Sequence, residues 1–86
     1  MNINELIANI KKKLEQNIVI QNILIEDKTF LHKNHVGHDK RKFHLKIKIS
    51  SKELEVLNKI ESNKKIYKIL DQELKTHIHS LQIFIN

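Results

Sequence analysis

Histidines are the residues of this sequence whose type and spacing could do chemistry, and cysteine is absent. His32, His35 and His38 recur at intervals of three in a polar segment, while His77 and His79 lie near the C-terminal end. Neutral imidazole is a common protein ligand for transition metals. Without thiols, the chain can form neither a disulfide nor a metal site held by its own sulfur. A soft metal centre would therefore need imidazoles from this chain and sulfur from another molecule.

Spacing alone does not choose among these histidines. No Glu lies between His32 and His35, so the helical zinc-protease motif is absent, and a loop does not preset ligand geometry. Solvation is the expected state of His44, on the polar face of a strand, and of at least one loop histidine. His77 is expected at a helix end, as a cation near the helix dipole or in solvent. His79 lies where a helix gives way to a strand, so the backbone on both sides fixes its position.

The charge of the chain favours anionic partners, and its residue types argue against an enzyme. Sixteen Lys and Arg against ten Asp and Glu give a formal net charge of +6, which suits nucleic acid or an acidic protein surface. Lysine, isoleucine and asparagine are abundant throughout, so a compositional drift explains part of this balance. The sequence contains no paired carboxylates, no nucleophile with an adjacent base and no phosphate-cradling loop. We therefore expect a binding module rather than a catalyst.

Neither a targeting signal nor a membrane segment is visible in the sequence. Residues 1–10 carry Glu5 and lack both a basic leader and an apolar run of signal-peptide length. Apolar runs stay well short of the roughly 20 residues needed to span a bilayer. The expectation is a cytoplasmic protein without membrane contact.

The first part of the chain predicts a helix followed by a strand. Apolar residues at steps of three and four predict a helix over 3–16, and Asn2 with Glu5 forms a capping-box pattern. A run rich in β-branched residues predicts a strand over 18–27. Its alternation breaks at the polar pair 21–22, where we expect a bulge or a change of face.

A second strand and a short helix come next. Apolar and polar residues alternate strictly over 43–50, which predicts a strand with one buried and one wet face. Ser50, three residues before Glu53, predicts the cap of a short helix over about 51–57.

A longer helix and a last strand complete the chain. Asn58 and Ser62 are the residues that could separate the two helices, and Ser62 is the expected cap. The longer helix should end near Thr76, and 78–85 should form the final strand.

The order of these elements, α-β-β-α-α-β, predicts an α+β fold, a two-layer sandwich. A hairpin of the first two strands and a third strand joined through helices form a three-stranded mixed sheet, covered on one face by the helices. Because the last connection crosses over through a helix, the third strand should pair in parallel with its neighbour. With 86 residues, the chain should be one domain spanning 1–86, with one modest aliphatic core.

Several residues together resemble the pattern of the BolA family over nearly the whole chain. The most specific piece is a helix that ends in a Glu-Leu pair, followed by a strand that opens with a histidine, a small residue and Leu. Here these are Glu73 and Leu74, then His79, Ser80 (where Ala is usual) and Leu81. The other matching residues are Asp27, Thr29, His32, Phe43, Ser50 and Tyr67.

The resemblance implies a fold similar to class II K-homology domains and a partnership with a monothiol glutaredoxin. Such partners share a bridging 2Fe-2S cluster, which serves iron-sulfur cluster assembly, trafficking or iron regulation. In the histidine-type branch, the implied metal ligands are His79 and the loop histidine three residues after Thr29, which is His32, with His35 as the alternative. Thiolates would come from the glutaredoxin cysteine and glutathione. Alone, the protein would carry no cofactor and would be a monomer or a weak homodimer.

A second hypothesis is a nucleic-acid-binding regulator of transcription in a stress response, to which the resemblance also points. The helix-turn-helix-like segment 51–68 could bring Lys64, Lys65 and Lys68 to DNA phosphates. A G-x-x-G loop, with which K-homology domains clamp RNA, is absent because the chain has one glycine. The expected DNA contact is therefore non-specific.

Overall fold

A computed structural model of the chain describes residues 2–29 and 42–86. Helices and strands follow one another in the order expected from the sequence, with an additional break between two of the helices. The elements are α1 (Ile3–Asn17), β1 (Asn22–Asp27), β2 (Phe43–Ser50), α2 (Lys52–Glu55), α3 (Lys59–Ile69), α4 (Asp71–Thr76) and β3 (Ile78–Ile85). The segment that carries His32, His35 and His38 lies outside the described residues. No helix in the described ranges is both long and apolar enough to cross a bilayer.

The three strands of the described chain form one mixed sheet with β2 at its centre. β1 pairs with β2 antiparallel, and β3 pairs with the other edge of β2 in parallel. A parallel neighbour cannot be reached by a tight turn, so α2, α3 and α4 form the connection from β2 to β3. The predicted fold class, a two-layer α+β sandwich with a three-stranded mixed sheet, is confirmed.

One aliphatic core lies between the helices and the sheet. Alternate residues of β2 point into it because successive side chains of a strand face opposite sides, and α1 contributes residues at helical spacing. The buried apolar residues are Leu6, Ile10, Leu14, Ile18, Leu45, Ile47, Ile49, Leu54, Ile66, Leu70 and Ile78. Because β3 contributes Ile78 at its first position, the core reaches the residue that precedes His79.

The first strand is shorter than predicted, since it begins at Asn22 and not at Ile18. The Ile18 backbone N–H donates to Leu14 O and closes α1, and its side chain is buried in the core with the helix. At the predicted break, Gln21 accepts a hydrogen bond from Lys52 N–H with its side chain. The polar pair therefore marks the start of the strand and not a bulge within it.

Two of the predicted helix caps are wrong, because other residues cap these helices. Ser51, not Ser50, caps α2, because its Oγ accepts from Leu54 N–H. Asn58, not Ser62, caps α3 in the same way. Ser62 is buried inside α3, where its Oγ donates to a backbone carbonyl one turn earlier. The Asn2 cap of α1 is confirmed, since its side chain accepts from Glu5 N–H.

The predicted longer helix is interrupted at Leu70, whose φ of −96° and ψ of 16° separate α3 from α4. Leu70 is fully buried, so its apolar side chain packs in the core at the bend. The predicted end at Thr76 and the final strand from Ile78 are confirmed. The bend redirects the chain just before the segment that holds His79.

Candidate functional site

His79 lies on an irregularity of the sheet. Phe43 is paired with Ile78 in the parallel ladder of β2 and β3. The next residue of β2, His44, is paired with Ser80. One step along β2 therefore corresponds to two steps along β3, and His79 is the extra residue of a β-bulge. Its side chain is exposed, so the imidazole is accessible to another molecule.

His44 lies beside His79 and is buried, which makes the predicted solvated state of His44 wrong. Its side chain is on the sheet face away from the core, yet the residue is 6% exposed. His44 Nδ1 and Ser80 Oγ are 2.6 Å apart and share a hydrogen bond. The ring centroids of His44 and His79 are 4.8 Å apart and the rings are tilted by 45°, within the range of aromatic pairs.

The same histidine is joined to the end of β1 through its backbone. His44 N–H donates to Thr29 Oγ1 at 3.1 Å, and His44 O accepts from Lys28 N–H at 2.7 Å. Asp27 holds this turn, because its Oδ1 accepts from Thr29 N–H at 3.0 Å and from the Thr29 hydroxyl. In such an Asx turn, the Asp side chain bonds to the backbone two residues on and fixes the backbone where the strand ends. Thr29, three residues before His32, is thus bonded to His44, the neighbour of His79.

His32 follows Thr29 by three residues and His35 follows it by six. Both histidines are outside the described residues, so their predicted metal contacts stay predictions. Thr29, the last described residue before them, is bonded to His44, whose ring contacts that of His79.

His77 belongs to a helix end, as the sequence predicts. It follows Thr76 as the C-terminal cap residue of α4, and its N–H donates to Glu73 O at 2.8 Å. Its Nδ1 lies 2.7 Å from Thr76 Oγ1, and its carbonyl accepts from Phe43 N–H. Backbone and side chain of His77 therefore serve the junction of α4 and β3, which separates it from the exposed His79.

The donors of the described site are imidazoles and hydroxyls. Within residues 2–29 and 42–86, no three His, Asp or Glu side chains converge on a point that could hold a metal ion. His79 offers one exposed imidazole, with the buried ring of His44 beside it. A metal ion held at His79 would therefore take at least some of its ligands from outside the described residues.

The lysines of the nucleic-acid hypothesis do not form one free group. Lys65 Nζ lies 2.6 Å from Glu53 Oε2. The bond from Lys65, together with one from Val19 N–H, holds the pKa of the Glu53 carboxyl below its usual range. Lys64 and Lys68 are exposed one turn apart on α3. Two of the three lysines are therefore available to phosphates, while Lys65 already pairs with a carboxylate.

A separate groove of about 700 Å³ runs between α2 and α3 on one side and β3 on the other. Tyr67 and Phe84 line it, and Tyr67 Oη donates to Leu81 O at 3.1 Å. Glu55 and Lys59 are the charged residues among its described lining. None of those lining residues is a histidine, so the groove is distinct from the surface around His79.

Sequence reasoning missed two residues of this site, His44 and Ser80. Alternation places His44 on the polar face of β2, but it does not reveal that its ring bonds to Ser80 and contacts His79 of β3. Ser80 stands beside His79 in the sequence, and its hydroxyl where Ala is usual was the available signal. The bulge itself depends on the pairing of two strands that are far apart in the chain.

Comparison with known proteins agrees with this architecture. Residues 14–86 match the family model described as BolA-like protein. The chain is 30% identical over 79 residues to "Protein BOLA1, chloroplastic" of Arabidopsis thaliana, a match that covers 88% of this chain and 49% of that protein. The chain thus spans about half the length of the curated relative it matches.

Solved structures give the same result. The chain is similar to BolA1 from Arabidopsis thaliana, with 29% identity, a TM-score of 0.76 and coverage of 92% of this chain and 87% of that one. It is also similar to the BolA domain of SufE1 from Arabidopsis thaliana, with 28% identity, a TM-score of 0.77 and the same coverage, 92% and 87%.

Proposed function

The chain belongs to the family of BolA-like proteins, and on this premise we propose that it is a non-enzymatic partner of a monothiol glutaredoxin. The two proteins share a bridging 2Fe-2S cluster, used in iron-sulfur cluster assembly, trafficking or iron regulation. The observation that supports the proposal is the exposed imidazole of His79, on a bulge next to His44, whose N–H is bonded to Thr29, three residues before His32.

Each partner supplies the ligands that the other lacks. This chain offers the imidazoles of His79 and His32, with His35 as the alternative to His32. The glutaredoxin cysteine and glutathione supply thiolates, which this chain cannot because it has no cysteine. Neutral imidazoles in place of thiolates lower the negative charge at the iron, and mixed ligation of this kind raises the reduction potential. A protonated imidazole cannot act as a ligand, so the complex should weaken at acidic pH.

Mixing the protein with a monothiol glutaredoxin that carries its cluster tests the proposal. We expect the visible absorption and circular dichroism spectra to change and native mass spectrometry to show a one-to-one complex. His79→Ala should abolish the spectral change, and His32→Ala should weaken it. If His35→Ala has the larger effect, His35 is the loop ligand.

His77→Ala is the matched control, because it removes an imidazole two residues from His79 that serves the helix end. It should leave the spectra of the mixture as in the wild type. An unchanged spectrum and complex with His79→Ala would show that the ligand assignment is wrong.

Three other expectations stay predictions: cytoplasmic location, a monomer or weak homodimer without the partner, and non-specific DNA contact through Lys64, Lys65 and Lys68. The ion pair of Lys65 with Glu53 reduces the basic surface that the last of these requires. Sharing a cluster is therefore the function that the described residues support best.

A further inference from the structure

We propose that His44 and Ser80 form a positioning pair that orients the imidazole of His79 for metal contact. The inference rests on the proposed function and assigns to these two residues an orienting role and not a ligand role. The pair consists of the His44 ring, which lies against the His79 ring, and the Ser80 hydroxyl, which holds the His44 ring by hydrogen bonding.

The first step is the burial of His44. Burying an imidazole is costly unless its polar atoms are hydrogen-bonded, and Ser80 Oγ meets His44 Nδ1 at 2.6 Å. This bond fixes the rotation of the ring about its side-chain torsions. With the residue at 6% exposure, the ring has little room to adopt another orientation.

The second step is the anchoring of the His44 backbone. Its N–H and its C=O are both bonded to the turn after β1, through Thr29 and Lys28. The residue is therefore held between β3 on one side and the origin of the loop on the other. Its ring is therefore a rigid packing surface next to the His79 ring.

The third step concerns His79, whose side chain needs a packing contact to restrict its orientation. It is the unpaired residue of the bulge and its side chain is exposed, so packing on the solvent side does not restrict its rotamers. The contact described here is with the His44 ring, at 4.8 Å between centroids. Residues that orient a metal-binding histidine by hydrogen bonding typically change metal affinity by about 10- to 100-fold when they are removed, and His44 orients His79 through a ring contact instead.

Nuclear magnetic resonance of the protein alone tests the pair without any cluster. At about pH 8, where free imidazoles are neutral, we expect ordered His79 ring signals in the wild type. In Ser80→Ala, the His79 ring should become more mobile on the nanosecond timescale and its proton shifts should move towards random-coil values. Ser80→Thr, which keeps a hydroxyl, should restore the wild-type signals, and Gln82→Ala, at the next exposed position of β3, should leave them unchanged.

The cluster-bearing mixture with glutaredoxin gives the second readout. Ser80→Ala should lower the affinity of the cluster-bridged complex about 10-fold and alter its circular dichroism, and Ser80→Thr should reverse both effects. Backbone amide spectra of the variants confirm that the sheet is intact. Identical His79 ring mobility in the wild type and Ser80→Ala would overturn the positioning role. If the wild-type mixture forms no bridged cluster, the proposed function fails, while the ring measurements still decide the positioning.

Discussion

His44, His77 and His79 have the same side chain, and their backbone positions give them different roles. His44 is buried on the central strand and bonded to Ser80, His77 closes a helix, and His79 is exposed on a bulge. An imidazole can act as ligand only if a lone pair is accessible and the ring is oriented. The exposed ring of His79 meets the first requirement, and its contact with His44 bears on the second.

Ser51 gives a prediction at the same scale. Its buried hydroxyl accepts from Leu54 N–H and donates to Val19 O at 2.7 Å, so it both caps α2 and ties this helix to the chain before β1. Ser51→Ala should lower the free energy of unfolding by about 1–2 kcal/mol. Ser50 is the cap expected from the sequence. Ser50→Ala should change the free energy of unfolding by less than about 0.5 kcal/mol. Urea denaturation measures both, and equal costs would contradict the assignment of Ser51 as the cap.

At the scale of elements, the crossover from β2 to β3 is held against the rest of the fold by carboxylates. Glu53, on α2, accepts from Val19 N–H at 3.1 Å and pairs with Lys65 of α3. Glu73, on α4, pairs with Lys13 of α1 at 3.0 Å. These contacts connect both ends of the crossover to its surroundings, and the crossover in turn sets where β3 and its bulge begin.

Glu53 leads to a prediction about pH. Its pKa is lowered first by the hydrogen bond from Lys65 and then by the one from Val19 N–H. Around these pH values the folded protein therefore binds fewer protons than the unfolded chain. The stabilisation of the folded state by ionised Glu53 is complete above the ordinary carboxyl pKa of about 4.3. It is lost as the pH falls through the lower pKa that Glu53 has in the folded state. Urea unfolding midpoints should thus fall below about pH 4.3, and less so in Glu53→Gln.

Lys65→Gln is the matched variant, because it keeps Glu53 and removes the first cause of its lowered pKa. It should weaken the fall of the unfolding midpoint below about pH 4.3, but less than Glu53→Gln does, because the hydrogen bond from Val19 N–H remains. Part of the acid dependence should persist in both variants, since Lys28 lowers the pKa of Glu26 in the same direction. An acid limb as steep in Glu53→Gln as in the wild type would refute the prediction.

At the scale of the whole molecule, the chain combines one aliphatic core with a formal net charge of +6. The positive charge attracts polyanions at long range whatever the specific function is. Lys64 and Lys68 add a local exposed pair on α3. Weak association with DNA is thus expected from the charge alone, and its salt dependence distinguishes it from recognition of a sequence.

Any binding to duplex DNA should therefore be independent of sequence and should fall steeply with salt. Lys64→Gln combined with Lys68→Gln should reduce the slope of log affinity against log salt by about 2, since each lysine at a phosphate contributes about 0.9. Lys75→Gln is the control, because Lys75 pairs with Asp71 at 2.9 Å on α4. Fluorescence anisotropy at several salt concentrations measures the slopes. Base-specific binding that survives physiological salt would place the regulator hypothesis ahead.

The sequence alone determined the features that depend on local periodicity. The alternation over 43–50 and 78–85 predicted β2 and β3 with their observed bounds, and the helical stripe predicted α1 to within one residue. The order of elements then led to the mixed sheet, because a helical crossover favours parallel pairing. The proposal of His79 as a metal ligand also came from the sequence, through its resemblance to the BolA family and not through spacing, and it stays a prediction.

Only the tertiary structure decided the features that depend on partners distant in the chain. Ser80 lies 36 residues from His44, and no local pattern records which residue of β3 will cover which residue of β2. The bulge at His79 and the hydrogen bond between His44 and Ser80 follow from that register. The choice of Ser51 over Ser50 as a cap likewise follows from the carbonyl of Val19, 32 residues away. Local periodicity sets which side a residue faces, while the pairing of remote strands sets what it meets there.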